Sequence, residues 1–324
     1  MRRLTPFVRA ILLASCALAA ASGASAQEYP TRQIRIVVPY APGGGADILA
    51  RDIGQKLGQQ YKQAVVIDNR AGAGASIGTE YASRTKPDGY TLLMASPSHA
   101  INASLYKSLP FDPIKDFTPV ALAGSGPLVL VVNASSPIHT LKEFLATARA
   151  KPGWINYASA GVGSSPHLAG ELFNMMAKVN IVHVSYKGTA PALTDVLGGQ
   201  VQAMFAPVPT VIEYLKAGKL RALGVSTLKP FSALPKVPAI ADEVPGYEVL
   251  QWWGFVVPTG TPAEVVVKLN RDIDAILDQP DMRQKFAVMG AEPGGGSPGQ
   301  FDTLIRGEVA KWAEVIKTAH VQSE

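Results

Sequence analysis

Short apolar runs recur along this chain, and most of them end in loops built from glycine, serine, threonine and alanine. The first run, Ile34 to Val38, is β-branched apart from Arg35, the texture of a strand buried on both faces. Pro39 ends it, because proline has no N–H to give to a ladder. Gly43, Gly44 and Gly45 follow, and then Ile48, Leu49, Ile53 and Leu57 fall at helical spacing, with Asp47 as the expected N-cap. The order of strand, small-residue loop and helix repeats. Ala64 to Asp68 leads into Asn69 to Ser76 and a helix through about Arg84. Tyr90 to Met94 leads into Ala95, Ser96, Pro97, Ser98 and His99 and another helical segment. Strands that each open onto a helix predict an α/β chain with a parallel, helix-covered sheet, and ligand groups at the carboxyl ends of its strands.

The stretch from Pro110 to Val120 is less regular, and Leu128 to Val132 is a strongly apolar strand. Ile155 to Ala158 runs into Ser159 to His167 and a helix carrying Leu168, Leu172, Phe173 and Met176. Ile181 to Tyr186 runs into Lys187, Gly188, Thr189, Ala190 and Pro191, where Gly188 or Thr189 caps a helix through Leu197 and Pro191 is allowed in its first turn. Val201 to Phe205 ends in Ala206 to Pro209, and Leu220 to Val225 is one more strand. Proline-punctuated coil fills Pro230 to Tyr247. Trp252 to Pro258 resumes as a strand, Pro262 to Leu277 is an amphipathic helix, and Phe301 to Ala319 is the last helix. Two α/β lobes account for this order, residues 27–126 with 249–324 and residues 127–248. The chain crosses between them near 121–130 and again near 225–250, which puts a cleft between the lobes, lined by the loops above.

The first 26 residues change how the composition is read. Arg2, Arg3 and Arg9, an apolar run from Ala10 to Ala21, and Ala24-Ser25-Ala26 before Gln27 have the form of a cleavable secretory signal. The apolar run is too short for a comfortable membrane span. Loss of its three arginines lowers the formal charge from +5 to +2, so the basic balance is no argument for a nucleic-acid partner. The one cysteine, Cys16, lies inside the signal. Leu13-Ala14-Ser15-Cys16 has the look of a lipoprotein box but leaves too little apolar run before it. The mature chain is therefore expected to have neither a disulfide nor a thiolate metal site.

Candidate chemistry is sparse. Gly74-Ala75-Ser76-Ile77-Gly78 matches a nucleophile-elbow pattern that would make Ser76 an esterase nucleophile, but Asn69 to Gly74 separate it from its strand, and an N-cap or hydroxyl-donor role fits better. Gly161 to Pro166 resembles a dinucleotide fingerprint with proline in place of its third glycine. The five histidines, His99, His139, His167, His183 and His320, have no metal-ligand spacing, so no cofactor or metal is expected. His99 and His167 are placed in cleft loops as hydrogen-bond donors. His183 reads as a core or edge residue, and His320 as solvated. Asp47 and Asp195 fit helix first turns or interiors, and Trp252 and Trp253 fit packing, with one ring available to wall the cleft. What remains is a set of neutral N–H and O–H donors, which suits an anion held in a partly dry cleft.

These residues, in this order, carry a family resemblance over essentially the whole mature chain. They are Val38-Pro39-Tyr40-Ala41-Pro42-Gly43-Gly44-Gly45-Ala46-Asp47, Asn69 to Gly74, Pro87 to Leu92, Gly163 to Leu168, Tyr186 to Pro191 and Lys216 to Leu223. The chain resembles the Bug receptors, the periplasmic solute-binding components of tripartite tricarboxylate transporters. The resemblance implies a two-lobed Venus-flytrap fold, each lobe a helix-covered mixed sheet with two interlobe crossovers, closing on a small carboxylate. On that pattern Tyr40, Gly44, Gly45, Asp47, Gly74, Ala75 and Ser76 face the ligand from the first lobe, with Ser96 and Ser98 in the third loop. Gly163, Ser164, Ser165, His167, Thr189 and Ala190 close from the second lobe, and Asp195 supports the last helix. The implied protein is a periplasmic monomer that is not an enzyme. It hands its ligand to membrane permease subunits or, alternatively, serves a signalling system as a sensor. Two departures stand out. Ser185 replaces the family's usual proline, and Ala206-Pro207 replaces a polar pair at the far end of the pocket.

Overall fold

The computed structural model describes residues 29–106, 108–319 and 321–322. The expected signal segment with Cys16, and His320, lie outside them. The chain runs β1 (Ile34–Val38), α1 (Gly45–Tyr61), β2 (Val65–Asn69), α2 (Ser76–Ser83), β3 (Thr91–Ala95), α3 (Pro97–Leu105) and β4 (Phe117–Asn133). Then come α4 (Leu141–Ala150), β5 (Asn156–Ser159), α5 (Ser165–Ala177), β6 (Val182–Ser185), α6 (Thr189–Leu197), β7 (Ala203–Pro207), α7 (Val208–Lys216) and β8 (Leu220–Val225). The chain closes with β9 (Leu250–Pro258), α8 (Ala263–Leu277), α9 (Pro280–Met289), β10 (Glu292–Pro293) and α10 (Pro298–Thr318).

The strands form one mixed sheet in the order β2-β1-β3-β9-β4-β7-β5-β6, with β8 and β10 also paired to β4. The strands predicted as strand–loop–helix units pair in parallel, β1 with β2 and β3, and β5 with β6 and β7. The antiparallel pairs all involve β4 or β9. β4 joins the two halves of the sheet. Its residues up to Pro127 pair with β9, and from Leu128 they pair with β7.

Alternation along the strands produces the cores, because successive side chains point to opposite faces. Ile34, Ile36 and Val38 pack with Leu49, Ile53, Leu57, Phe255 and Leu269 on one face, while Val37 packs with Leu93, Trp252, Phe301 and Ile305 on the other. In the second half, Leu128, Leu130 and Val132 face Tyr157, Phe173 and Phe205, and Val129 and Val131 face Leu193, Met204 and Val211. The last helix links the halves. Phe301 and Ile305 lie in the first-half core, and Trp312 and Ile316 in the second-half core.

The structure departs from the pattern in a few places. β4 begins at Phe117, inside the stretch that reads as irregular. It runs through Gly124, Gly126 and Pro127 because register shifts after Pro119 and Leu122 take up the misfit. α7 and α9 go unpredicted, as each starts beside a proline that reads as a break but sits at the first or second helical position. Gly44, not Asp47, is the N-cap of α1. Ala75, not Ser76, precedes α2 at its N-cap, and Ser76 is the first helical residue.

Candidate functional site

Five helices start at one place. Gly44 caps α1, Ser96 caps α3, Ser164 caps α5, Thr189 opens α6 and Pro207 caps α7, and all five residues line the same narrow cleft. Tyr40, Gly45, Ala46, Ala160, Ser165, Pro166, Gln251 and Trp253 complete its wall. No lining residue is charged. Each helix start carries open N–H groups and the positive end of a peptide dipole, so the cleft is electropositive without a basic side chain.

The loops are held in place from behind. Asp47, in the first turn of α1, is buried and turned away from the cleft. Its carboxylate accepts from the Gly43 amide at 2.9 Å, from Asn69 Nδ2 at 2.9 Å and from Arg51 Nε at 3.0 Å. The glycine turn is thus tied to the end of β2. Tyr40 carries its phenol to Ser96 Oγ at 2.9 Å and Ser98 Oγ at 2.6 Å. Burial pushes the phenol's pKa up, against a smaller opposing effect of the two serines, so it stays protonated. Beneath the turn lies Trp253, and a Cβ added to Gly45 would stand 2.9 Å from its Cζ2. Only glycine leaves room for that ring.

On the other side, Ser159 Oγ accepts from the Gly161 amide at 3.0 Å and lies 2.5 Å from His183 Nε2. His167 Nδ1 accepts from the Gly163 amide at 3.2 Å, and its ring stacks on His183 with centroids 4.1 Å apart. Burial, and for His167 also the neighbouring His183, lowers their pKa values to about 3 and about 4. Both rings are neutral near neutrality and serve as acceptor and spacer. Because the folded-state values lie below the usual value for histidine, this contribution to stability is complete above about pH 6.5 and is lost as pH falls toward those values. The denaturation midpoint of a His183→Gln variant is expected to fall less than that of the wild type between pH 7 and about pH 4. Parallel pH dependences would show that His183 does not titrate on unfolding.

Of the residues singled out from sequence, the structure brings Tyr40, Gly44, Gly45, Ser96, Ser164, Ser165 and Thr189 together in the cleft. Asp47, Ser98, Gly163 and His167 stand behind it as the supports just described. Ala190 follows Thr189 in the first turn of α6, and Asp195 lies farther along that helix, accepting from Tyr186 Oη at 2.6 Å. Gly74 lies in a separate groove with Gly161, Val162 and Lys187. Ala75 caps α2, and Ser76 Oγ has Asn102 Nδ2 as its partner at 3.2 Å. The placement of His99 and His167 in cleft loops as donors is corrected: His167 lies in the first turn of α5, and its Nδ1 accepts. His99 is a helical residue of α3, buried against Phe117.

Gln251 was not singled out from sequence. It is a lone polar residue on an apolar strand, and only the pairing of β9 with β4 carries it to the cleft. Asn102 also escaped notice. Its Nδ2 donates to the Gly74 carbonyl at 2.9 Å, fixing the loop that meets the opposite half. There the backbone of Gly74 approaches that of Gly161 and Val162, and the Ala41 amide donates to the Lys187 carbonyl at 3.3 Å. The two halves are in contact across the cleft. Among the described residues there is no cluster of three or more metal-ligating side chains, and no helix is long and apolar enough to cross a membrane.

Comparison with known proteins agrees with this geometry. The family model described as "Tripartite tricarboxylate transporter family receptor" matches residues 49–321. BugT of Bordetella pertussis is 37% identical over 310 residues, covering 95% of this chain and 94% of that protein. A solved structure of an R. palustris protein with adipate superposes with a TM-score of 0.88 at 39% identity, covering 91% of this chain and 99% of the other. MatC from Rhodopseudomonas palustris with bound malate gives a TM-score of 0.85 at 32% identity, over 89% and 100% of the two chains. The periplasmic binding protein BugD gives 0.87 at 33% identity, over 91% and 100%. A neutral cleft at the joint start of five helices, in a chain matched along nearly its whole length, thus identifies this protein as a solute-binding receptor that belongs to the tripartite tricarboxylate transporter receptor family.

Proposed function

We propose that this chain is a periplasmic receptor that captures a small organic carboxylate between residues 27–126 with 249–324 and residues 127–248, and delivers it to the membrane subunits of a transporter. The observation that carries the reading is the convergence of five helix starts on a cleft with no charged side chain. A carboxylate is an acceptor-only anion, and open amides aimed at it form charge-assisted hydrogen bonds. Adipate and malate, bound by the two Rhodopseudomonas relatives, are both small carboxylates. The ligand favours the closed arrangement because only there do both halves contribute donors. Catalysis has no support in the cleft, and Ser76 engages Asn102 rather than a base.

The test is a thermal-shift screen of the mature protein, unfolded and refolded to release trapped ligand, against carboxylates and matched neutral amides. A carboxylate at a hundred times its dissociation constant is expected to stabilise by about 2.7 kcal/mol. Equal shifts with the neutral analogues would remove the anion from the reading. Gly44→Val sharpens it. Gly44 has φ −82°, which valine tolerates, and an added Cβ lies 3.6 Å from Thr189 Cβ. The variant is expected to fold normally and to bind at least about tenfold more weakly, because the branched side chain covers the amides of the turn. Unchanged affinity would place the anion elsewhere.

A further inference from the structure

The five helix starts are not equivalent. α3, α5, α6 and α7 each carry a proline in the first turn, at Pro97, Pro166, Pro191 and Pro209, and each proline removes an N–H. α1 has none, and no side chain caps it. The amides of Gly45, Ala46 and Asp47 therefore remain open, which makes α1 the richest donor set in the cleft. α5 is the poor one. The His167 amide donates to Ser164 Oγ, the Leu168 amide donates to the Ser164 carbonyl, and Pro166 has no N–H.

Beside α5 lies a pair of side chains whose proton positions can be worked out. Gln251 is 3% exposed, and its Nε2 donates to the Trp252 carbonyl at 3.0 Å. A carbonyl only accepts, so this bond fixes which way the amide points. Oε1 must then face Ser165, whose hydroxyl donates to it in a short hydrogen bond. Ser165 has given up its one proton and presents lone pairs to the cleft. Gln251 keeps a second N–H. This end of the cleft therefore offers one acceptor and one donor, with Pro207 and Trp253 as apolar neighbours.

We propose, building on the carboxylate reading, that the ligand is a monoanion. Its carboxylate lies at the α1 turn, and a neutral group that both donates and accepts, a hydroxyl or a carboxamide, lies against Ser165 and Gln251. The pair selects such an acid over a dicarboxylate. A second carboxylate has no proton for the lone pairs of Ser165 and meets only one donor, whereas a hydroxyl or amide satisfies both partners. The selectivity belongs to the proton arrangement, so Gln251→Leu changes it in a defined direction. Without Oε1 the Ser165 proton is released into the cleft, and the preference shifts toward dicarboxylates.

The experiment is calorimetric titration of the refolded mature protein with chain-matched probes. The four-carbon set is succinate, succinamate, γ-hydroxybutyrate and butyrate, and the six-carbon set is built the same way on adipate. In the set that binds, the hydroxy or amide acid is expected to bind at least about tenfold more tightly than the dicarboxylate. Gln251→Leu and Ser165→Ala, checked for folding by thermal melt, are expected to narrow that ratio to near unity. A dicarboxylate that binds the wild type as tightly as its hydroxy and amide counterparts overturns this inference and leaves the carboxylate site standing. Failure of every acid in both sets overturns the inference and the carboxylate site together.

Discussion

Replacing Gly74 with alanine is expected to weaken ligand binding by about 100-fold while leaving the unliganded protein folded. Gly74 has φ +55°, and a Cβ placed on it would stand 1.7 Å from the Val162 carbonyl oxygen and 2.9 Å from the carbonyl carbon. No rotamer relieves a clash with main chain, so the loops must separate. Asn102 holds the Gly74 loop from behind, which restricts its retreat. The strain falls only on the arrangement in which the halves touch. An open protein bears no more than the left-handed backbone penalty of alanine, about 1–2 kcal/mol. A closed state raised by about 3 kcal/mol lowers apparent affinity by about two orders of magnitude, with no ligand contact removed. Titration together with small-angle scattering would check this. Wild-type affinity and unchanged compaction with ligand would show that the Gly74–Val162 approach is not needed for binding.

Asp47→Ala is expected to act by the opposite route, through the fold of the turn itself. It strips the acceptor from the Gly43 amide and leaves Asn69 Nδ2 with only the Tyr40 carbonyl, so two part-buried, charge-assisted hydrogen bonds are lost. The Arg51 pair adds little, because the guanidinium side is 51% exposed. A loss of about 1–2 kcal/mol in stability is expected, with weaker binding as the turn loosens. The pH dependence gives an independent reading. Burial alone would raise the Asp47 pKa, but Arg51, the Gly43 amide and Asn69 together hold it below the usual carboxylate value. Its contribution is therefore present above the unfolded-state pKa and is lost as pH falls through the folded-state value. Denaturant unfolding of wild type and Asp47→Ala should converge as pH falls below the carboxylate range. A constant gap down to acid pH would mean that the carboxylate charge plays no part.

Much of this was legible in the chain because backbone donors announce themselves through the residues that leave them uncovered. The loops at Gly43 to Gly45, Ser164-Ser165 and Gly188-Thr189 are readable as helix starts, and helix starts became the cleft wall. The support shell was less legible. Asp47, Ser98, Gly163 and His167 belong to the same short motifs as the lining residues, and sequence spacing does not say which way a first-turn side chain points. Gln251 and Asn102 were illegible for another reason. Gln251 is one polar residue in an apolar strand and Asn102 one of several in a short helix, and their roles depend on β4 pairing with β9 and on α3 packing behind the Gly74 loop. β4 was half hidden because glycine and proline read as breaks, while a bulged strand accommodates them.

The neutral wall of the cleft has a consequence for how such a receptor changes over generations. In the proposed site the attraction for an anion resides in main-chain amides at the start of α1 and its neighbours, and a point substitution does not delete a main-chain amide unless it introduces proline. Shape and hydrogen-bond polarity reside in side chains such as Ser165, Gln251, Pro207 and Trp253. Attraction and discrimination are thus carried by separate parts of the molecule. A lineage can retune which acid it accepts, one side chain at a time, without passing through a form that has lost its hold on acids altogether.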